Sequence, residues 1–376
     1  MNKTIITIMA FIVSFGAFSQ NNKFAFDFYN QIKDGDNILF SPVSIKAAFA
    51  MAYEGANSET QKEFETVFDF KENNEHYFNE LEQLKDLMLI SNSVWIQKGF
   101  KVLESYKDKL KKHFKTDAYT TDFAGDSEES AKKMNDWIAD KTNKMIQKMV
   151  SASQVTDFKL ALINAVYFKQ DWSKKFDKKL TKKEKFYNAD KSTVKVDMMY
   201  AREHYRAYEG NAEKVVEIPY KDDRTSLLII LPNKMSSYKL KEEGYMSFLR
   251  SMYRREVILH LPKFTFETPT FELKPDLEKM GLNLAFSNGA DFSGMRTERD
   301  LKIGTALHKA KIIVNEEGTE AAAATVIGIK TTSAISITPP EPLEVRVDKP
   351  FFYFIKDNLT NNILFMGRMN KMEEAE

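Results

Sequence analysis

Five histidines, His76, His113, His204, His260 and His308, are the side chains best suited to proton transfer near neutral pH, and they are scattered without metal-ligand spacing. The chain has no cysteine, so thiol catalysis is excluded. It also lacks a Gly-x-Ser-x-Gly elbow, a phosphate-binding Gly-rich loop, a dinucleotide fingerprint and a His-Glu-x-x-His helix. The unusual chemistry lies instead in Val314-Asn-Glu-Glu-Gly-Thr-Glu-Ala-Ala-Ala-Ala-Thr-Val326. Four alanines, Ala321, Ala322, Ala323 and Ala324, keep this stretch free of bulk and charge, and Gly318 before them supplies a permissive backbone hinge. As a strand it would put Thr319, Ala321, Ala323, Thr325, Ile327 and Ile329 on one uncharged face, with Glu320 and Lys330 on the other. Taken alone, the alanines suit an exposed helix equally well, Ala being the best helix former.

The elements around this stretch read as helices first and strands later. Lys23 to Ile32 and Glu128 to Met149 carry apolar residues near helical spacing. Val215-Val-Glu-Ile-Pro-Tyr220, Ser226-Leu-Leu-Ile-Ile-Leu-Pro232 and Glu256-Val-Ile-Leu-His-Leu-Pro262 are short branched runs bounded by Pro and charged turns. Helices followed by sheets imply an α+β domain. With 43% hydrophobic residues, 29 Phe and 15 Tyr, the chain can fill one large core, and no linker or repeat divides it.

Several longer blocks carry a resemblance. Asn37-Ile-Leu-Phe-Ser-Pro-Val-Ser-Ile45 is followed by Ala47-Ala-Phe-Ala-Met-Ala-Tyr-Glu-Gly55. Leu162-Ile-Asn-Ala-Val-Tyr-Phe-Lys-Gln-Asp-Trp172 comes next, then Val347-Asp-Lys-Pro-Phe-Phe-Tyr-Phe-Ile355 with Leu364-Phe-Met-Gly-Arg368. In this order, and with the small-residue hinge, they resemble the serpin family over essentially the whole chain. The one departure is Gln170, where the family's turn after the central strand has Gly.

The resemblance implies a serpin fold of three β-sheets with about nine helices and an exposed reactive loop at about 316–342. It implies a suicide-substrate inhibitor of serine endopeptidases, with no catalytic residue, cofactor or metal of its own. The hinge would be Glu316, Glu317, Gly318, Thr319, Glu320, Ala321 to Ala324 and Thr325. Counting from Glu316 puts the reactive bond at Thr332-Ser333, with Lys330-Thr331 as the alternative. After cleavage, Thr319 to Thr332 would enter the main sheet. Ser41, Ser44, Asn164 and His308 match the polar shutter beneath the point where that sheet parts, and Trp172 matches the breach at its top; each alone also suits an ordinary satisfied or packed core residue. A non-inhibitory carrier or chaperone, and an inhibitor directed at cysteine proteases, are the alternatives. The expected partner is a serine protease, elastase- or subtilisin-like in preference to trypsin-like.

Residues 1–19 have the form of a secretory signal, with Lys3, the apolar run Ile5 to Phe18 and Ala17-Phe-Ser19 before Gln20. The run is too short to span a bilayer, which needs about 20 residues. A secreted or periplasmic, bacterial-type, monomeric protein is expected, with residues 20–376 as a single domain. The net charge of +1 suggests neither nucleic acid nor membrane as partner. The lysines of Lys107 to Lys115 and of Lys174 to Lys185 read as solvated surface, and acid-rich Glu72 to Asp86 argues against heparin at the usual helix.

Overall fold

The computed structural model describes residues 22–32, 37–71, 74–84, 87–156, 158–319 and 341–375. The expected signal at 1–19 and the loop from Glu320 through Thr325, Lys330-Thr331 and Thr332-Ser333 to Pro340 lie outside them. Eight α-helices occur among the described residues: α1 (Lys23–Gln31), α2 (Pro42–Tyr53), α3 (Ser58–Phe68), α4 (Glu75–Leu84), α5 (Glu104–Lys109), α6 (Ser127–Lys141), α7 (Glu242–Ser251) and α8 (Lys274–Lys279). In α2 the Ser41 hydroxyl accepts from the Ser44 N–H and Pro42 occupies the first turn, so the start is fixed twice. Every α2 residue except Val43 is buried, as expected of a helix apolar on nearly all sides.

The strands of the first half are β1 (Ile38–Phe40), β2 (Leu89–Gln97), β3 (Ala118–Thr121), β4 (Leu160–Tyr167), β5 (Gln170–Asp171), β6 (Lys182–Tyr187) and β7 (Thr193–Glu209). Those of the second half are β8 (Glu213–Pro219), β9 (Thr225–Pro232), β10 (Tyr253–Pro262), β11 (Phe264–Glu267), β12 (Phe271–Glu272), β13 (Thr305–Val314), β14 (Gly318–Thr319), β15 (Leu343–Arg346), β16 (Phe351–Asp357) and β17 (Ile363–Met369). They make three sheets. The main sheet runs β3-β2-β4-β13, with β11 and β12 on the far side of β13 and β14 held between β13 and β5. The other two share β7: its first part pairs with β6 and β10, and from Arg206 it pairs with β8 and continues into β9, β16, β17 and β1. The short β15 pairs in parallel with β10.

At the centre of the main sheet β4 is buried at every position, because α2 and α6 reach it from opposite faces, and its sequence is accordingly a continuous apolar run broken only by Asn164. The helix expected through Met149 stops at Lys141. The Thr142 hydroxyl donates to the Ile138 carbonyl and accepts from the Ile146 N–H, while Asn143 and Lys144 turn left-handed at φ 50° and 63°. Gln170 sits in strand β5, not in a tight turn, so the missing glycine costs nothing there.

Candidate functional site

The chain leaves β13 at Val314, turns over Asn315 to Glu317 and re-enters the main sheet as β14, with Thr319 opposite both Val314 and Gln170. Asn315 closes the turn. Its N–H donates to the Gly318 carbonyl at 3.0 Å, and its Oδ1 accepts from the N–H groups of Glu317 (2.9 Å) and Gly318 (3.3 Å). Gly318 is needed for a reason other than the hinge freedom expected of it. Its φ is not left-handed, but a Cβ there would stand 2.2 Å from the Gln170 carbonyl oxygen and 2.7 Å from the Asp171 Cα. Glycine is what lets two strands approach this closely.

Thr319, counted from the sequence among the residues that enter after cleavage, is already in the sheet. It is fully buried and its hydroxyl is 2.6 Å from that of Tyr220. Tyr220 stacks on Trp172 with ring centres 4.6 Å apart and planes 7° from parallel, and Phe176 meets the indole edge-on. Trp172 holds the turn at two points: its indole N–H donates to the Asn315 carbonyl at 2.8 Å and its backbone N–H to the Glu317 carbonyl at 2.9 Å.

The two glutamates of the turn are pinned from outside. Glu316 accepts from the Thr181 hydroxyl at 2.9 Å and pairs with Lys263 at 3.1 Å. Burial pushes its carboxyl up, but the backbone, Thr181 and Lys263 more than offset this and hold it below the usual carboxylate range. Glu317 is gripped by Lys175 at 2.6 Å and Lys178 at 2.8 Å, whose hydrogen bonds hold its carboxyl low. Two lysines of the run read as solvated surface are thus committed to this turn. Tyr220 and Lys263 had no sequence signal beyond their place near β-strand ends; contact across the sheet alone identifies them.

Below this point β4 and β13 pair directly and in parallel, Ala161 opposite Thr305 through Tyr167 opposite Lys311, with nothing between them. Asn164 and His308 face each other in that register, and α2 brings Ser41 and Ser44 over them. The Ser41 N–H donates to His308 Nε2 at 3.3 Å, so the imidazole proton is on Nδ1 and is given to the Asn164 Oδ1. The Asn164 amide donates to the Ser44 carbonyl at 2.9 Å, to the Ser44 hydroxyl at 2.5 Å and to the Asn92 Oδ1. The four residues grouped from sequence therefore form one bonded cluster, and Asn92 of β2, opposite Asn164, is a fifth member that no motif marked.

Burial alone pushes His308 down to about 3. A histidine whose folded pKa is depressed contributes stability that is complete above its unfolded value of about 6.5 and is lost as pH falls from there towards the folded value. Denaturant unfolding of the native protein should therefore show a loss of about 2 kcal/mol from His308 between pH 7 and pH 5. Unchanged stability across that interval, or an imidazole resonance of His308 titrating near 6.5, would contradict the buried neutral tautomer.

Comparison with known proteins places residues 19–372 on the family described as serpin (serine protease inhibitor). An uncharacterized serpin-like protein of the archaeon Methanosarcina acetivorans is 36% identical over 376 residues, covering 95% of this chain and 88% of its own. Human Serpin B3 is 35% identical, covering 93% and 98%. Among solved structures, Serpin48, a highly specific serpin of the insect Tenebrio molitor, superposes with a TM-score of 0.83 at 29% identity, covering 95% of this chain and 98% of the other.

Proposed function

The chain belongs to the serpin family, and on that premise we propose that it is an exported, monomeric, bacterial-type inhibitor that traps serine endopeptidases as acyl-enzymes. One observation carries the reading: β14 already lies antiparallel between β13 and β5, at the head of a seam where β4 and β13 pair directly. A chain continuing from Thr319 in the same direction would part that seam. It would replace one parallel ladder of slanted bonds with two antiparallel ladders, which are slightly more stable per residue. The export reading rests on residues 1–19. No helix among the described residues is long and apolar enough to cross a membrane.

In this mechanism the protease serine oxygen adds to the carbonyl carbon of Thr332. The bond to the Ser333 nitrogen then breaks and the new amine leaves with a proton, so an ester remains. Insertion of Glu320 to Thr332 must outrun hydrolysis of that ester. Thirteen residues at about 3.3 Å each span roughly 43 Å, longer than the ten-residue β13 beside them. The ester, carried to the far end, takes the protease with it. The small side chains of Ala321 and Ala323 leave the first inserted positions free of any group that must be desolvated.

Incubation with subtilisin or pancreatic elastase should give a complex that survives denaturing electrophoresis, and mass spectrometry should find a released carboxy-terminal peptide beginning at Ser333. Trypsin should cut after Lys330 and leak more, since its inserted strand is about 6–7 Å shorter. Clean cleavage with no stable complex from any of these enzymes would make this a non-inhibitory serpin. Equal trapping of trypsin would make the site a multiple one, and a stable complex confined to cysteine proteases would move the target class.

A further inference from the structure

Three lysine or arginine side chains are buried among the described residues: Lys46, Lys356 and Arg368. Lys356 has the partners that burial demands, Glu217 at 3.1 Å and the Asn358 Oδ1 at 2.7 Å, and the Arg368 guanidinium donates to the Tyr29 hydroxyl at 2.9 Å. Lys46, in α2, has neither an ion pair nor a hydrogen bond from its ammonium among the described residues, although it is only 6% exposed. The ammonium lies 5.6 Å from the centre of the Tyr77 ring and 5.9 Å from that of Phe70, two rings themselves 5.4 Å apart. Ring faces offset part of the cost of taking an ammonium out of water, but they leave its three N–H groups without a lone pair to donate to.

The helix that covers Lys46 brings two more donors and no acceptor. Asn74 precedes α4, and its carbonyl accepts from the Phe78 N–H at 2.9 Å while its Oδ1 accepts from the Lys71 N–H at 3.0 Å. Its Nδ2 is buried with no partner, and so is the Tyr77 hydroxyl. Asn74 and Tyr77 stand one turn apart, so they share the face of α4 that meets Phe70 and Lys46. Buried donors are paired in native proteins, so three of them together define their complement, a group that only accepts. The nearby carboxylates do not supply it: Glu80 accepts from the Asn362 amide and Asp69 from Lys71, and both act on Lys46 only through space. Burial pushes the Lys46 amine down, and the two carboxylates restore it only in part. They also limit the charge that can enter, since each would repel a doubly charged anion twice as strongly as a singly charged one.

We propose that Lys46, Asn74 and Tyr77 form an interior site for one small monovalent anion, a halide or a simple carboxylate, which fastens α4 to α2. The site is separate from the loop and is independent of the inhibitory reading above. It is not a polyanion surface, because the exposed side of α4 carries Glu75 and Glu82, which repel one.

The test follows thermal unfolding of the full chain at fixed ionic strength while gluconate, too large for the site, is exchanged for chloride or formate. The wild type should gain about 3 °C at about a hundredfold excess of anion over its dissociation constant. K46M, which keeps an apolar stem without the ammonium, should melt above the wild type in gluconate and gain nothing from either anion. Y77F keeps the ring and loses the hydroxyl, so its response should move to about three- to tenfold higher anion concentration. A response to chloride assigns the site to a halide, and a response to formate alone assigns it to a carboxylate. An equal response of wild type and K46M overturns the proposal. So does a wild type indifferent to both anions, the result expected if water serves the three donors. Should K46M fail to fold, an unshifted Y77F curve overturns it instead. In bromide-soaked crystals an anomalous peak is expected within hydrogen-bond reach of the Lys46 Nζ; such a peak with no change in melting is binding at crystal concentration only and also overturns the proposal.

Discussion

Replacing Thr319 by arginine is expected to turn the proposed inhibitor into a substrate, with stable complex falling at least about tenfold per molecule cleaved while the cleavage rate is kept. The Thr319 side chain is fully buried, and its hydroxyl meets that of Tyr220 at 2.6 Å beneath the stacked Trp172. A guanidinium there must leave water without a carboxylate to receive it, and the Tyr220 hydroxyl loses its partner as well; groups left unpaired in this way cost about 1–3 kcal/mol each, more when charged. The sheet would then expel β14, and the inserting strand would have to start against that penalty while the ester hydrolyses. T319S, which keeps the hydroxyl, should restore trapping. Electrophoresis of reactions with excess elastase gives the ratio of trapped to cut inhibitor, and undiminished trapping by the arginine variant would mean that β14 is not where insertion begins.

Cleaving the loop should raise the melting temperature by roughly 5 °C or more. In the intact molecule β4 and β13 satisfy each other, so the gain must come from what a new central strand adds. Its backbone bonds, about 0.5–1.5 kcal/mol each, are nearly cancelled by an ordering cost of about 1–2 kcal/mol per residue. Burying Ile327 and Ile329 adds about 1.5–3 kcal/mol apiece beyond that, and each kcal/mol moves the midpoint by about 1–1.5 °C in a domain of this size. The intact form would therefore be held by a kinetic barrier. Calorimetry before and after limited cleavage by a protease that is not trapped measures the difference directly. A cleaved form that melts at or below the intact one would show that the loop does not insert.

Much of the fold was legible because its elements are strongly patterned. The apolar run of β4 around Asn164, the Ser41-Pro42 start of α2 and the hairpin of β16 and β17 each follow from residues adjacent in sequence. The end of α6 was not legible, since a threonine hydroxyl replacing helical bonds at Thr142 leaves the apolar spacing beyond it intact. The run of small residues was legible in the sequence, but the anchors of the turn that leads into it were not. Lys175, Lys178 and Lys263 look like any other surface lysines until the turn at Asn315 to Glu317 is laid against them.

The sequence by itself determined the family, the mixed architecture and the absence of thiol chemistry, because those depend on residue type, order and period along the chain. Only the tertiary structure decided that Thr319 is already inside the sheet, that Gly318 serves close approach, and that His308 is neutral with its proton on Nδ1. The physical reason is the same in each case. Burial, a missing Cβ against a neighbouring carbonyl, and the donor facing a ring nitrogen are all set by segments more than a hundred residues away in the chain, and no local pattern encodes which distant group will arrive.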